Sequence, residues 1–152
     1  MNLTTREDID APIAKVYEAV TDFERFERRL MRRGIDVLRD ETCPPPNPGA
    51  KWRINAEWRG KPYEIDAELI SIGVPDGYAM EAHTSGLICV GVVDLVALSK
   101  ARTRLLVSLD IRATSFSSKL LLQSLRFAKG SIGGRFKARV QEFARELPGE
   151  VG

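Results

Sequence analysis

Hydrophobic positions recur along this chain with two different periods, and the switch between them falls near Thr114. From residue 51 to residue 111 they fall mostly on every second residue. Trp52, Ile54, Ala56 and Trp58 alternate with Arg53, Asn55, Glu57 and Arg59. Tyr63, Ile65, Ala67 and Leu69 alternate with Glu64, Asp66 and Glu68, and Tyr78, Met80, Ala82 and Thr84 with Ala79, Glu81 and His83. A period of two predicts half-buried strands. The run Leu87 to Leu98 is more evenly apolar, which predicts an interior strand, and Thr103 to Ile111 is the last one. Turn sequences such as Arg59-Gly60-Lys61-Pro62 and Val74-Pro75-Asp76-Gly77 separate these runs by only a few residues. Short connections between consecutive strands predict an antiparallel meander.

After Thr114 the apolar step becomes three or four. Leu121, Leu125, Ala128, Ile132, Phe136, Val140, Phe143 and Leu147 form one stripe, which predicts a single long helix over residues 117–147. Gly130, Gly133 and Gly134 interrupt its middle, so the helix kinks there or packs closely against a neighbour. The beginning of the chain reads as a strand over residues 3–10, followed by two short helices. Asp10 and Pro12 suit the start of the first helix, which carries Ile13, Val16, Tyr17 and Val20 on one face. Asp22 caps the second, with Phe23, Phe26, Leu30 and Met31, and Gly34 ends it. Residues 35–42 read as a further strand. The run Cys43-Pro44-Pro45-Pro46-Asn47-Pro48-Gly49 can only be a stiff loop, because its prolines remove donors and fix φ. With no linker or repeat, residues 1–152 read as one domain.

Composition narrows the function classes. A net charge of +2 gives no case for nucleic acid. The longest apolar run is too short and too polar for a membrane span. The first residues lack the apolar core of a secretory signal, and two cysteines read as reduced thiols, so a cytoplasmic protein is expected. His83 is the sole histidine and has outward parity, which leaves no histidine triad or multi-histidine metal site. No metal and no cofactor is expected. Glu64, Asp66 and Glu68 share an outer face. Asp94 and Asp110 read as outer-face partners of Arg104 and Arg112 in cross-strand ion pairs. General acid–base catalysis therefore has no evident actor.

The order strand, two helices, meander, long helix is a helix-grip arrangement. Its opening carries a more specific pattern: Ile9, Ala11-Pro12, Val16-Tyr17 and the pair Asp22-Phe23. In this pattern the chain resembles the START-like SRPBCC superfamily, which includes plant pathogenesis-related allergens, lipid-transfer domains and polyketide cyclases. The resemblance implies an α+β helix-grip fold, in which a curved antiparallel sheet of six or seven strands wraps the C-terminal helix around an apolar cavity. It also implies a small hydrophobic ligand of the lipid, quinone, polyketide or aromatic class.

Strand parity and helix phase then select a candidate lining between the sheet and the first half of the long helix: Trp52, Ile54, Tyr63, Met80, Leu121, Leu125 and Ala128, with Phe26 near the mouth. Arginines crowd the second helix, at 25, 28, 29, 32 and 33, and basic residues recur along the last. Interspersed glutamates make solvated helix faces the simpler account. The alternative is a basic cavity rim that attracts an anionic ligand or, weakly, an anionic membrane surface. Three functions follow: a non-catalytic binder or carrier, a cyclase or dehydratase using the same cavity, and an interaction module whose cavity is filled by side chains.

Overall fold

The computed structural model describes the backbone of residues 1–151 and the side chains of residues 1–147. Its elements are β1 (Asn2–Ile9), α1 (Ile13–Val20), α2 (Phe23–Arg32), β2 (Asp36–Arg39), β3 (Lys51–Trp58), β4 (Lys61–Gly73), β5 (Gly77–Thr84), β6 (Leu87–Ser99), β7 (Arg102–Ala113), α3 (Phe116–Phe127) and α4 (Lys129–Val151). The strands form one antiparallel sheet in the order β1-β7-β6-β5-β4-β3-β2. The meander β2 to β7 is thus continuous in space, and β1 closes onto its last strand with Leu3 opposite Leu109 and Ile9 opposite Thr103. This is the α+β helix-grip fold, with a curved sheet of seven strands.

Register settles which residues share a face. Trp52 lies opposite Ala67, Ala67 opposite Ala82, Ala82 opposite Cys89 and Cys89 opposite Ile111. The next inner row is Leu69, Met80, Gly91, Leu109 and Leu3. The outer face carries the charges. Arg104 binds Asp8 across β7 and β1 at 2.8 Å and holds its carboxyl below the usual carboxylate range. Arg112 approaches Asp110 on its own strand at 3.9 Å, and Asp94 forms no ion pair among the described residues. The cross-strand pairing expected of Asp94 and Asp110 therefore does not form, because β7 gives Arg104 to β1 instead.

The C-terminal helix is two helices, not one. Helix α3 ends at Ala128, whose backbone N–H reaches back to Leu125, and α4 begins at Lys129. The break comes just before the glycines, which lie inside α4. Nothing stands within 4 Å of where a Cβ would be at Gly130 or Gly134, and Gly133 makes only ordinary contact with Leu3. A serine network fixes the start of α3. Ser115 and Ser118 form a reciprocal cap, and Ser118, 1% exposed, also accepts from the Thr114 N–H. The turn at Gly86 must pass close by: φ there is +77°, and a Cβ would sit 2.9 Å from that of Ser118. Only glycine fits both demands.

Packing divides into two clusters. One joins β1, α1, β6, β7 and α4 through Ile9, Val16, Val20, Leu95, Leu105, Ala144 and Leu147. The other lies under α2 and the β3–β4 pair, around Phe23, Ala50, Trp52, Ala67 and Leu69. Between them the inner-face residues Ile54, Met80, Ala82, Cys89, Gly91, Val107 and Leu109 are only half-buried. Apolar side chains at the middle of a sheet that no helix fully covers leave room above them. That room is the candidate site.

Candidate functional site

The larger inner space, about 690 Å³, opens between α2 and α4. Its floor is Tyr78, Val93, Leu105 and Val107, and its walls are Val20, Phe26 and Leu30 on one side and Phe136, Val140 and Phe143 on the other. Its volume falls within the range of small-molecule sites. Helix periodicity places these walls. Phe26 and Leu30 are four apart on α2, as are Phe136 and Val140 on α4, so each pair presents one face to the gap. Contacts bridge α2 and α4, among them Arg25 to Glu146 at 3.9 Å. The rings of Phe26 and Phe143 lie 5.6 Å apart, and the Arg29 guanidinium donates to a Glu146 carboxylate oxygen at 2.5 Å.

The mouth is basic. Arg29, Arg32, Arg33 and Arg139 line it with Glu142 and Glu146. Arg29 is engaged by Glu146, and Arg139 lies 3.6 Å from Glu142. Among the described residues Arg32 and Arg33 have no ion-pair partner, which leaves two guanidinium groups beside an apolar interior. The sheet edge next to the mouth is held shut: Arg39 on β2 grips Glu27 of α2 through both ends of its guanidinium, with one N···O distance of 3.0 Å.

Tyr78 is the one polar side chain of the floor. Its ring meets Phe23 edge-on at 5.2 Å, and Phe23 also meets Trp52 at 5.5 Å. Its hydroxyl has no protein hydrogen-bond partner among the described residues. Burial pushes its pKa well above the ordinary phenol value, so the group stays protonated and offers a donor to a ligand oxygen. Cys89, on the inner face, is likewise held as the thiol by burial and by Asp110.

A second inner space, about 170 Å³, lies beneath α3 and is bounded by Ala56, Trp58, Tyr63, Ile65, Thr84, Leu87, Leu121 and Leu125. The hydroxyl of Thr84 is buried there without a hydrogen-bond partner. On the outer face a groove of about 630 Å³ runs over Lys51, Arg53, Asp66, Glu68, Glu81 and His83. Its charges largely satisfy one another, as in the 3.1 Å pair Arg53–Asp66 and the contact of His83 with Glu81.

The residues selected from sequence are distributed over four places. Tyr63, Leu121 and Leu125 meet around the small space under α3. Trp52, Ile54 and Met80 pack with Phe23 in the second cluster, and Ala128 caps α3 at the helix break. Phe26 lines the larger cavity. Of the other lining residues, Tyr78 lies on an alternating strand and Phe136, Val140 and Phe143 on the helical stripe, while Leu105 and Val107 come from the last strand. What parity lacks is the tilt of α4, which runs beside β1 and leaves the gap to α2.

No family model and no curated protein matches the chain. Solved structures do. The protein TTHA0849 from Thermus thermophilus aligns over all of both chains at TM-score 0.67 and 15% identity. Ara h 8.0201 aligns over 93% of this chain and 98% of its own at TM-score 0.55 and 15% identity. The Zhui aromatase/cyclase from Streptomyces sp. R1128 aligns over 76% of this chain and 69% of its own at TM-score 0.56 and 14% identity. The chain thus has the helix-grip fold that these structures share.

Proposed function

We propose that the protein binds or carries a small apolar molecule with an acidic end, held in the cavity between α2 and α4. The observation that carries this reading is the pairing of an apolar interior of about 690 Å³ with Arg32 and Arg33 at its mouth, which make no ion pair among the described residues. The tail of such a ligand covers Val93, Val107 and Val140, its acidic group faces the arginines, and a polar atom along its length accepts from Tyr78. Fatty acids, acidic polyketides and aromatic acids fall within this description. Cys43 and Cys89 are unpaired, which suits a reducing compartment such as the cytoplasm.

The test is displacement of a fluorescent fatty acid by a panel of these compounds, in the wild type and in a Val107→Trp variant whose indole fills the cavity. Saturable binding that the variant loses while keeping its melting cooperativity supports the reading. Equal binding by both proteins contradicts it.

Tyr78 also favours a second reading, a cyclase or dehydratase acting in the same space. A neutral phenol in a largely apolar pocket can donate to a carbonyl oxygen as charge builds there, and one solved structure of this fold is the Zhui aromatase/cyclase. Turnover of a poly-β-ketone substrate by wild type but not by Tyr78→Phe favours catalysis. Binding without turnover favours carriage.

A further inference from the structure

Helix α3 is apolar on two opposite faces. Leu122, 7% exposed, and Ser118 face inward, and Leu121 and Leu125 cover the small space beneath. On the other side Phe116, Leu120 and Phe127 are 79%, 56% and 90% exposed. At about 100° per residue these three fall within an arc of roughly 40°, forming one ridge along the helix. A water-facing helix ordinarily puts polar residues there. Lys119 and Arg126 stand about 60–80° round the helix from Phe116, and Lys129 follows directly after the break.

The charge around the ridge is of one sign. Between Asp110 and Glu142 the chain has seven Lys or Arg and no Asp or Glu. Lys119, Arg126 and Lys129 make no ion pair among the described residues. We infer that the outer face of α3 is a docking surface for an anionic lipid bilayer, with Phe116, Leu120 and Phe127 entering the interface and the cations meeting the headgroups. Charge rules out the simplest competitor. A second copy of this chain would set one basic face against another, which an isologous contact cannot avoid. Area argues against a stable protein partner: three side chains present roughly 400–450 Å², about half of what one side of a standard interface buries. Reversible membrane contact needs only a few apolar side chains assisted by basic ones.

Co-sedimentation of the full chain with vesicles tests this. Binding is expected to phosphatidylcholine vesicles containing phosphatidylglycerol, much less to phosphatidylcholine alone, and to weaken with salt. The double variant Phe116→Ala/Phe127→Ala should keep the fold, because both rings are exposed, and lose at least about tenfold in partitioning. A Lys119→Glu/Arg126→Glu variant should lose binding to the anionic vesicles specifically. No partitioning of the wild type overturns the inference. So does undiminished binding by the phenylalanine variant, or a wild-type dimer that this variant dissociates.

Discussion

Arg29 of α2 donates to Glu146 of α4 across the mouth of the apolar cavity, 117 residues apart in sequence. Each side chain is about a third exposed, so the pair contributes little to stability, of order 0.2–1 kcal/mol. Its larger effect is on the charge offered to a ligand. Glu146→Gln releases Arg29 to join Arg32 and Arg33. The variant should lose less than about 1 kcal/mol in urea unfolding, while its affinity for a decanoate-like carboxylate rises about threefold or more. Unchanged or weaker carboxylate binding would show that the arginines do not read the ligand's acidic end.

The inner residues should sort by burial when truncated. Leu105 and Leu147 are each 1% exposed in the cluster that joins sheet and helices, so alanine at either should cost about 2–5 kcal/mol. Phe136 and Leu125 belong to the same helical stripe but border open space, and each is half-buried. Their alanine variants should cost clearly less than Leu105→Ala. Equal losses at all four sites would mean that the cavity walls pack as solid core.

Fold legibility followed the kind of information each feature needs. Parity depends only on neighbours in sequence, so the alternation alone suffices to put Trp52, Ala67 and Ala82 on one inner face. The strand-two-helix opening is equally local, with Asp22 capping α2 through the Arg25 N–H as its position suggests. The helix break at Ala128 is hidden because the apolar stripe runs through it in phase, and the glycines draw attention one turn too late. The larger cavity is hidden for another reason. Its lining comes from α1, α2, α4 and three strands, and the angle of α4 against the sheet is a tertiary quantity that no local period encodes. The arginines of α2 are visible in sequence, but their two roles, Arg29 as a strap and Arg32 and Arg33 as cations with no ion pair among the described residues, depend on where Glu146 arrives.

The glycines of α4 provide a separate check on that helix. Gly130 and Gly134 have open space where a Cβ would stand. Alanine at either should stabilise the protein by roughly 0.5–1 kcal/mol in thermal or chemical unfolding. A destabilisation would indicate a close neighbour at these positions, or a helix that relies on their freedom.

Tyr78 should give stability an alkaline limit. Its pKa is raised in the folded protein by burial, and Tyr17 is shifted the same way. The folded state therefore holds its phenolic protons at a pH where the unfolded chain has released them. The contribution is complete below the unfolded value near 10 and declines as pH rises above it. Urea midpoints should fall above about pH 10, and Tyr78→Phe should lessen that fall. A Tyr78→Phe profile parallel to the wild type would place the hydroxyl in contact with water.

The central claim is that the space between α2 and α4 takes an apolar molecule by its tail and holds its acidic end at Arg32 and Arg33. Methyl-labelled NMR of the protein titrated with decanoate tests it most directly. The predicted result is saturable shifts and intermolecular contacts at the methyls of Val93, Val107 and Val140, with weakened binding when Arg32 and Arg33 are both replaced by glutamine. Saturable contacts confined to the outer face of the sheet, or no contact at those three valines at saturating decanoate, would contradict it.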